Sequence, residues 1–246
     1  MTTHIGEIAV VVPSRNEAEL LPHALRALAA AMAHFARTGP PVPTSLTVVL
    51  DCTSDDSAQI MAEHPWANIK RVSAGRVGAA RNAGVSAAAS LAKVPPTQLW
   101  IANTDADSMV PSNWLERHYA LAMNGAHVLA GTVEPVPTDL GAAALARWFD
   151  CHDLREGHSH VHGANLGFRA DVFSKLGGFS DQSLHEDRDF VAKARAHGYA
   201  VAATDSCRVS TSGRLHGRLA GGFADFLARL DGGECAGAPA QSPTAG

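Results

Sequence analysis

Charge of one sign, paired cysteines and long apolar runs are all scarce in this chain of 246 residues. Its 20 Lys and Arg against 24 Asp and Glu leave a formal net charge of -4. That gives no general footprint for nucleic acid, and any polyanionic ligand must be met locally, by placed arginines or a metal. The four cysteines, Cys52, Cys151, Cys207 and Cys235, are scattered and form no Cys-x-x-Cys pair. Neither a disulfide scaffold nor a structural zinc site is indicated, and free thiols point to the reducing cytoplasm. The alanine-rich stretches 24–33 and 83–92 are broken by Arg26 and by Ser86 and Ser90, so neither approaches a membrane span. Residues 5–12 read as a strand without basic leader or cleavage site, and no signal peptide is expected. Walker and Gly-x-Gly-x-x-Gly loops are also missing, as is any internal repeat.

What is present centres on Leu99-Trp100-Ile101-Ala102-Asn103, an apolar strand that ends in Asp105-Ala106-Asp107, with Pro111 barring simple continuation. Carboxylates at a strand's carboxyl end stand where open α/β sheets bind ligands, and two of them can face one hard cation. The same tripeptide also reads as a polar turn. Its surroundings carry the weight. Residues 8–12 form a β-branched strand bounded by Pro13, and Ser14-Arg15-Asn16-Glu17 lead into a helix in which Asn16 and Glu19 are expected to cap. Residues 46–50 form a second strand ending on Asp51, which sits too early to be a cap for the helix that follows. A short strand at 69–72 precedes Gly75-Arg76-Val77-Gly78-Ala79-Ala80-Arg81-Asn82-Ala83-Gly84, which opens a helix. Its glycines would let backbone amides approach an anion, or would simply let a helix pack close to a strand.

Alternation of this kind implies an α/β fold, a mostly parallel central sheet with helices on both faces, its acid-bearing strand ends lining one edge. Beyond Pro111 a helix at 113–123, a strand at 128–133 and a helix at 140–149 are expected, then a histidine-rich segment, 152–162. High polarity and irregular spacing favour a mobile loop that orders over substrate, ahead of a zinc site. Glu186 and Asp187 open another helix, as dipole partners or with one of them as a general base. A short strand at 201–203, a basic loop at 210–218 and a helix at 223–230 follow, and residues 232–246 read as a disordered tail.

In this order the stations resemble the inverting GT-A glycosyltransferases of family 2, over roughly residues 7–230: Val-Val-Pro-Ser-Arg-Asn-Glu at 11–17, the acids at 51–56, Gly-Ala-Ala-Arg-Asn-Ala-Gly at 78–84, Asp-Ala-Asp at 105–107, Gly-Ala-Asn-Leu-Gly-Phe-Arg at 163–169, Gly-Gly-Phe at 177–179 and Glu-Asp at 186–187. The resemblance implies one GT-A (Rossmann-like) domain over 1–231, a nucleotide-sugar half to about residue 108 and a smaller acceptor-side half from 109. It implies a nucleoside-diphosphate sugar as donor and a divalent cation, Mn or Mg. The acceptor is a small molecule, lipid or glycan, and the oligomeric state stays open, a homodimer included. On this likeness Pro13, Arg15, Glu17 and Asp51 are similar to nucleoside-binding positions, and Arg81 to a diphosphate-side arginine. Asp105 and Asp107 match the motif that holds ribose and metal. Asp187 matches the catalytic base with Glu186 beside it, Gly163 and Asn165 border the acceptor, and His216 is the candidate to complete the metal site. The Gln-x-x-Arg-Trp of processive synthases is absent, which favours transfer of a single sugar. A sugar-phosphate nucleotidyltransferase would carry a Gly-rich Arg/Lys loop directly after its first strand, and a dehalogenase-like phosphatase would carry its Asp-x-Asp on that strand. Neither pattern is found here.

Overall fold

The computed structural model describes residues 4–182, 184–215, 217 and 222–233. His216, most of the tail expected from residue 232, and Cys235 lie outside the described residues. The order of elements is β1 (Glu7–Ser14), α1 (Leu21–Thr38), β2 (Thr44–Asp51), α2 (Ser57–Ala62), β3 (Asn68–Val72), α3 (Val77–Leu91), β4 (Leu99–Asn103), β5 (Ser108–Met109), α4 (Trp114–Met123), β6 (Val128–Pro135), α5 (Ala142–Cys151), β7 (Leu166–Arg169), α6 (Ala170–Lys175), α7 (Glu186–Ala196), β8 (Val201–Thr211) and α8 (Phe223–Asp231). All eight strands join one sheet in the order β3-β2-β1-β4-β7-β6-β8-β5.

The half from β3 to β4 is wholly parallel, as alternating strands and helices require. Past β4 the sheet turns mixed. β7 pairs antiparallel with both β4 and β6, β8 runs parallel to β6, and β5 is antiparallel to β8. The expected α/β sheet flanked by helices is present, wholly parallel in its first half and mixed in its second. There the short β7 comes straight out of a 3-10 turn at Gly163–Asn165, after α5 and the segment that follows it.

The central strands β1, β4 and β6 bury both faces, and the period of two sorts their side chains into separate cores. On β1, Ile8, Val10 and Val12 join α1, Trp100, Trp114 and Trp148 in one cluster. Ala9 and Val11 face the other, with α3 and the aromatic group around Phe168, Phe179 and Phe190. Gly84 permits this second contact: a Cβ there would lie 2.5 Å from Val11 Cγ1 and 2.7 Å from Val49 Cγ2. That glycine serves packing of α3 on β1 and β2.

Two local expectations are corrected. Asn16 does not cap α1, which starts at Leu21 with a proline in its first turn and no side-chain cap. Asn16 instead adopts φ +51° and accepts a hydrogen bond from the Ser54 amide at 2.7 Å, tying the loop after β1 to the loop after β2. β8 runs far beyond residue 203, because its polar residues find partners along β6, Arg208 bonding Glu134 and Asp205 accepting from the Thr132 hydroxyl, while Cys207 and Val209 point into the core. A register shift between Gly131 and Val133 accommodates the change of pattern.

Candidate active site

Strands β1, β2 and β4 end at one edge of the sheet, and the loops leaving them form one wall of a cleft of about 950 Å³. Pro13, Arg15, Glu17, Asp51, Arg81, Asp105 and Asp107 line it, together with Gly163, Glu186 and Asp187 from later in the chain. Ten of the residues singled out from sequence thus meet in one place, although they span residues 13 to 187.

Ion pairs organise the wall. Arg81, only 3% exposed, donates from one terminal nitrogen to Asp105 Oδ1 at 2.7 Å and from the other to Glu186 Oε1. It therefore straps the end of β4 to the first turn of α7. Its guanidinium lies against Gly163, where a Cβ would fall 2.4 Å from a terminal nitrogen, so the residue expected to border the acceptor is also the one whose bareness admits the arginine. Burial raises the Glu186 carboxyl and the Asp187 charge adds to it, against the opposing pull of Arg81. Asp187 accepts a hydrogen bond from the Arg188 amide at 2.7 Å. It stands with Glu186 and Asp189 in the first turn of α7, where the helix dipole favours anions.

A second arginine was not singled out from sequence. Arg214, from the loop after β8, donates to both Glu17 carboxylate oxygens at 2.9 Å and to Asp107 Oδ2 at 2.8 Å. The signal for it was the basic loop, together with the need of so many acids for a counter-charge. Even so, burial and the neighbouring Asp105 carboxylate push the Asp107 carboxyl up to about 6, with Glu17 adding to the effect and Arg214 opposing it. Four acids, Glu17, Asp105, Asp107 and Glu186, share two arginines here. The cluster holds an excess of negative charge, which suits a hard cation. Among the described residues no group of three or more His, Cys, Asp or Glu side chains makes a cage by itself. A cation here would take one or two carboxylates and complete its shell from a bound diphosphate.

Asp51 is 3% exposed, and its Oδ1 accepts the amides of Ala74 and Gly75 at 2.7 and 3.0 Å, fixing the plane of the carboxylate at the cleft floor. Asn165 departs from expectation. It is fully buried, accepts a hydrogen bond from Trp114 Nε1 at 2.9 Å and donates to the carbonyls of Thr132 and Cys207 at 2.8 and 2.9 Å. Its side chain knits β6, β8 and α4 together rather than lining the cleft. His216, expected as a metal ligand, lies outside the described residues. The histidine-rich segment packs its rings against one another along the cleft. Among the described residues it forms no group of three or more metal-ligating side chains.

Several solved structures share the architecture. One is S. aureus TarS 1–349 in complex with UDP-GlcNAc, with a TM-score of 0.63 at 16% identity over 91% of this chain and 65% of that one. The mannosyltransferase PcManGT from Pyrobaculum calidifontis, in complex with GDP-Man and Mn2+, has a TM-score of 0.57 at 18% identity over 88% and 59%. Glucosyl-3-phosphoglycerate synthase from Mycobacterium tuberculosis, with Mn2+, UDP and phosphoglyceric acid, has 0.56 at 13% over 92% and 74%. The chain spans 60% of the length of TarS 1–349 in another of its crystal structures, and at these identities the likeness is one of fold. No curated protein sequence matches this one. Among the described residues no helix is long and apolar enough to cross a membrane. The sequence model described as glycosyl transferase family 2 matches residues 9–177, well over half the chain and all of its acid-bearing strand ends, and the chain belongs to that family of glycosyltransferases.

Proposed function

We propose that the protein moves one sugar from a nucleoside-diphosphate sugar to an acceptor hydroxyl with inversion at the anomeric carbon, assisted by a divalent cation, Mn or Mg. The observation that carries this reading is that Asp187 lines the same cleft as Asp105 and Asp107. A base and a charge-holding group then face one bound sugar from two sides. Neighbours solved with UDP-GlcNAc and with GDP-Man support a nucleotide sugar as donor. The thiols of Cys52 and Cys207, neither of them in a disulfide, fit a reducing, cytoplasmic setting.

In this reading Pro13, Arg15 and Asp51 hold the nucleoside, with the Asp51 carboxylate preset by its two amide bonds. Asp105 takes the ribose, and Asp107 holds the cation, which when bound neutralises the diphosphate as a leaving group. Glu17 acts through Arg214, whose guanidinium it fixes at the edge of the diphosphate site. Arg81 ties Asp105 to Glu186 through one hydrogen bond from each terminal nitrogen and keeps further N–H donors for the diphosphate side. The acceptor oxygen attacks the anomeric carbon as the bond to the diphosphate breaks. The electron pair leaves with the phosphate, and Asp187 accepts the hydroxyl proton.

A thermal-shift panel of UDP, GDP, their sugar conjugates and simple phosphate monoesters, with and without manganese, tests the donor side. A metal-dependent rise in Tm is expected with one diphosphonucleoside, because a ligand bound only to the folded state stabilises it by mass action. Response to phosphate monoesters alone would select a phosphatase. On the catalytic side, Asp187→Asn is expected to keep that Tm rise and to lose roughly 10²- to 10⁴-fold in transfer rate.

A further inference from the structure

The cleft's far wall is a column of aromatic rings. Trp148 of α5 stacks on His152 with centroids 3.4 Å apart and planes 16° from parallel. His152 continues to His160 at 5.0 Å, and His160 to His162 at 6.1 Å, again with nearly parallel planes. From α8, Phe223 and Phe226 approach Trp148 edge-on at 5.3 and 5.8 Å. All six line the cleft. Asp187 and Arg188 line the same cleft as this column, which runs from His162 to the fully buried Trp148.

Stacking covers the ring faces and leaves their edges. Burial keeps these imidazoles uncharged, pushing His152 down to about 4 and His162 down to about 3, with neighbouring histidines adding to the latter. A neutral imidazole offers one donor and one acceptor. His152 and His160 are only part-buried and present such edges to the cleft, while Trp148 is fully buried behind them, its Nε1 and the Nε2 of His162 shut off from solvent. The ligand that satisfies such a wall has hydroxyls, each both donor and acceptor, on a ring with an apolar C–H face for the phenylalanines. A carboxylate or phosphate would ask for charged donors. The column has none, and Arg188 and Arg229 stand exposed at its rim.

We propose that this column with Phe223 and Phe226 is the acceptor subsite, and that the acceptor is a neutral saccharide lying along it with one hydroxyl at Asp187. The proposal rests on the transfer reading above for its reaction, and on the wall alone for its ligand. Saturation-transfer NMR of the full chain, with UDP or GDP and magnesium present, tests it with methyl pyranosides and disaccharides as probes and glycerol phosphate as the acidic control. Ring C–H signals from the saccharides are expected, falling at least about fivefold in His160→Ala and in Phe226→Leu while the nucleotide-dependent Tm rise is kept. Absence of saccharide signal in the wild-type protein while nucleotide still binds overturns the proposal and leaves the transfer reading standing. Binding of glycerol phosphate alone, or saccharide signals equal in wild type and both variants, also overturns it. Column-dependent saccharide binding with no response to any nucleotide would keep the subsite and sink the transfer reading.

Discussion

Along the ends of β1, β2 and β4 the cleft is held by ions, with Glu17 and Asp107 on Arg214 and Asp105 and Glu186 on Arg81, whereas its opposite wall is a stack of neutral rings from Trp148 to His162. Buried ion pairs are poor investments in stability, since desolvation offsets most of their attraction. They make sense where charge must be in position before an anion arrives. A neutral wall suits a partner that brings no charge, and it leaves the acceptor proton as the one charge to be moved on that side. On the proposed reading, one wall of the cleft holds charge for a leaving group, and the other offers shape and neutral hydrogen bonds.

The largest expected effect on stability separates a residue of the framework from the wall it was thought to belong to. Asn165→Ala removes partners from Trp114 Nε1 and from the Thr132 and Cys207 carbonyls at once, all buried. At about 1–3 kcal/mol for each orphaned group, less what relaxation recovers, roughly 3–5 kcal/mol of unfolding free energy should go, read by urea titration. Saccharide signals from the remaining folded protein should persist. A stability change under about 1 kcal/mol together with loss of those signals would return Asn165 to the acceptor wall and blur the division. Gly163→Ala is smaller and falls on the charged wall. The added methyl would sit 2.4 Å from an Arg81 nitrogen, costing about 1–3 kcal/mol as an overpacked contact. Because Arg81 straps Asp105 to Glu186, the nucleotide-dependent Tm rise should shrink with it while saccharide binding stays. Equal loss on both sides would show that the walls are one cooperative unit.

The charged wall was far more legible in the sequence than the neutral one. Asp51, Asp105 and Asp107 follow apolar strands directly, so strand pattern and strand end coincide within a few residues, and their meeting at one sheet edge follows from right-handed parallel topology. Asp187 could be placed because acids at a helix start are local too. Arg214 was not singled out, since its partners Glu17 and Asp107 lie 197 and 107 residues away and nothing local marks one arginine of a basic loop. The histidine column read as a mobile loop because spacing in sequence says nothing of stacking when the intervening backbone is irregular. Asn165 was misassigned for the opposite reason: its motif is local, but its three bonds reach β6, β8 and α4, which no window of sequence contains. The reversal at β7 escaped for want of a length signal, as four residues of strand and a 3-10 turn look like loop.

The neutral half of the comparison extends below the cleft to His118, and acid should expose it. This ring is fully buried between Trp100 and Trp114, and its Nδ1 accepts from Trp100 Nε1 at 3.0 Å, so the proton of the neutral form sits on Nε2. Burial pushes its pKa down to about 3, with only a partial offset from Asn165, while in the unfolded chain it returns to about 6.5. Above pH 6.5 the ring is neutral in both states and its contribution to stability is complete. Below that the unfolded state takes a proton the folded state refuses, and stability falls by about 1.4 kcal/mol per pH unit, levelling only near pH 3 where the folded ring protonates as well. Urea titrations between pH 7 and 5 should therefore show a slope that is smaller by about that amount in His118→Asn, which keeps an oxygen acceptor for Trp100 but cannot titrate. An unchanged slope in the variant would mean that the buried imidazoles are not what makes this fold sensitive to acid, and that the carboxylates of the charged wall set its lower pH limit instead.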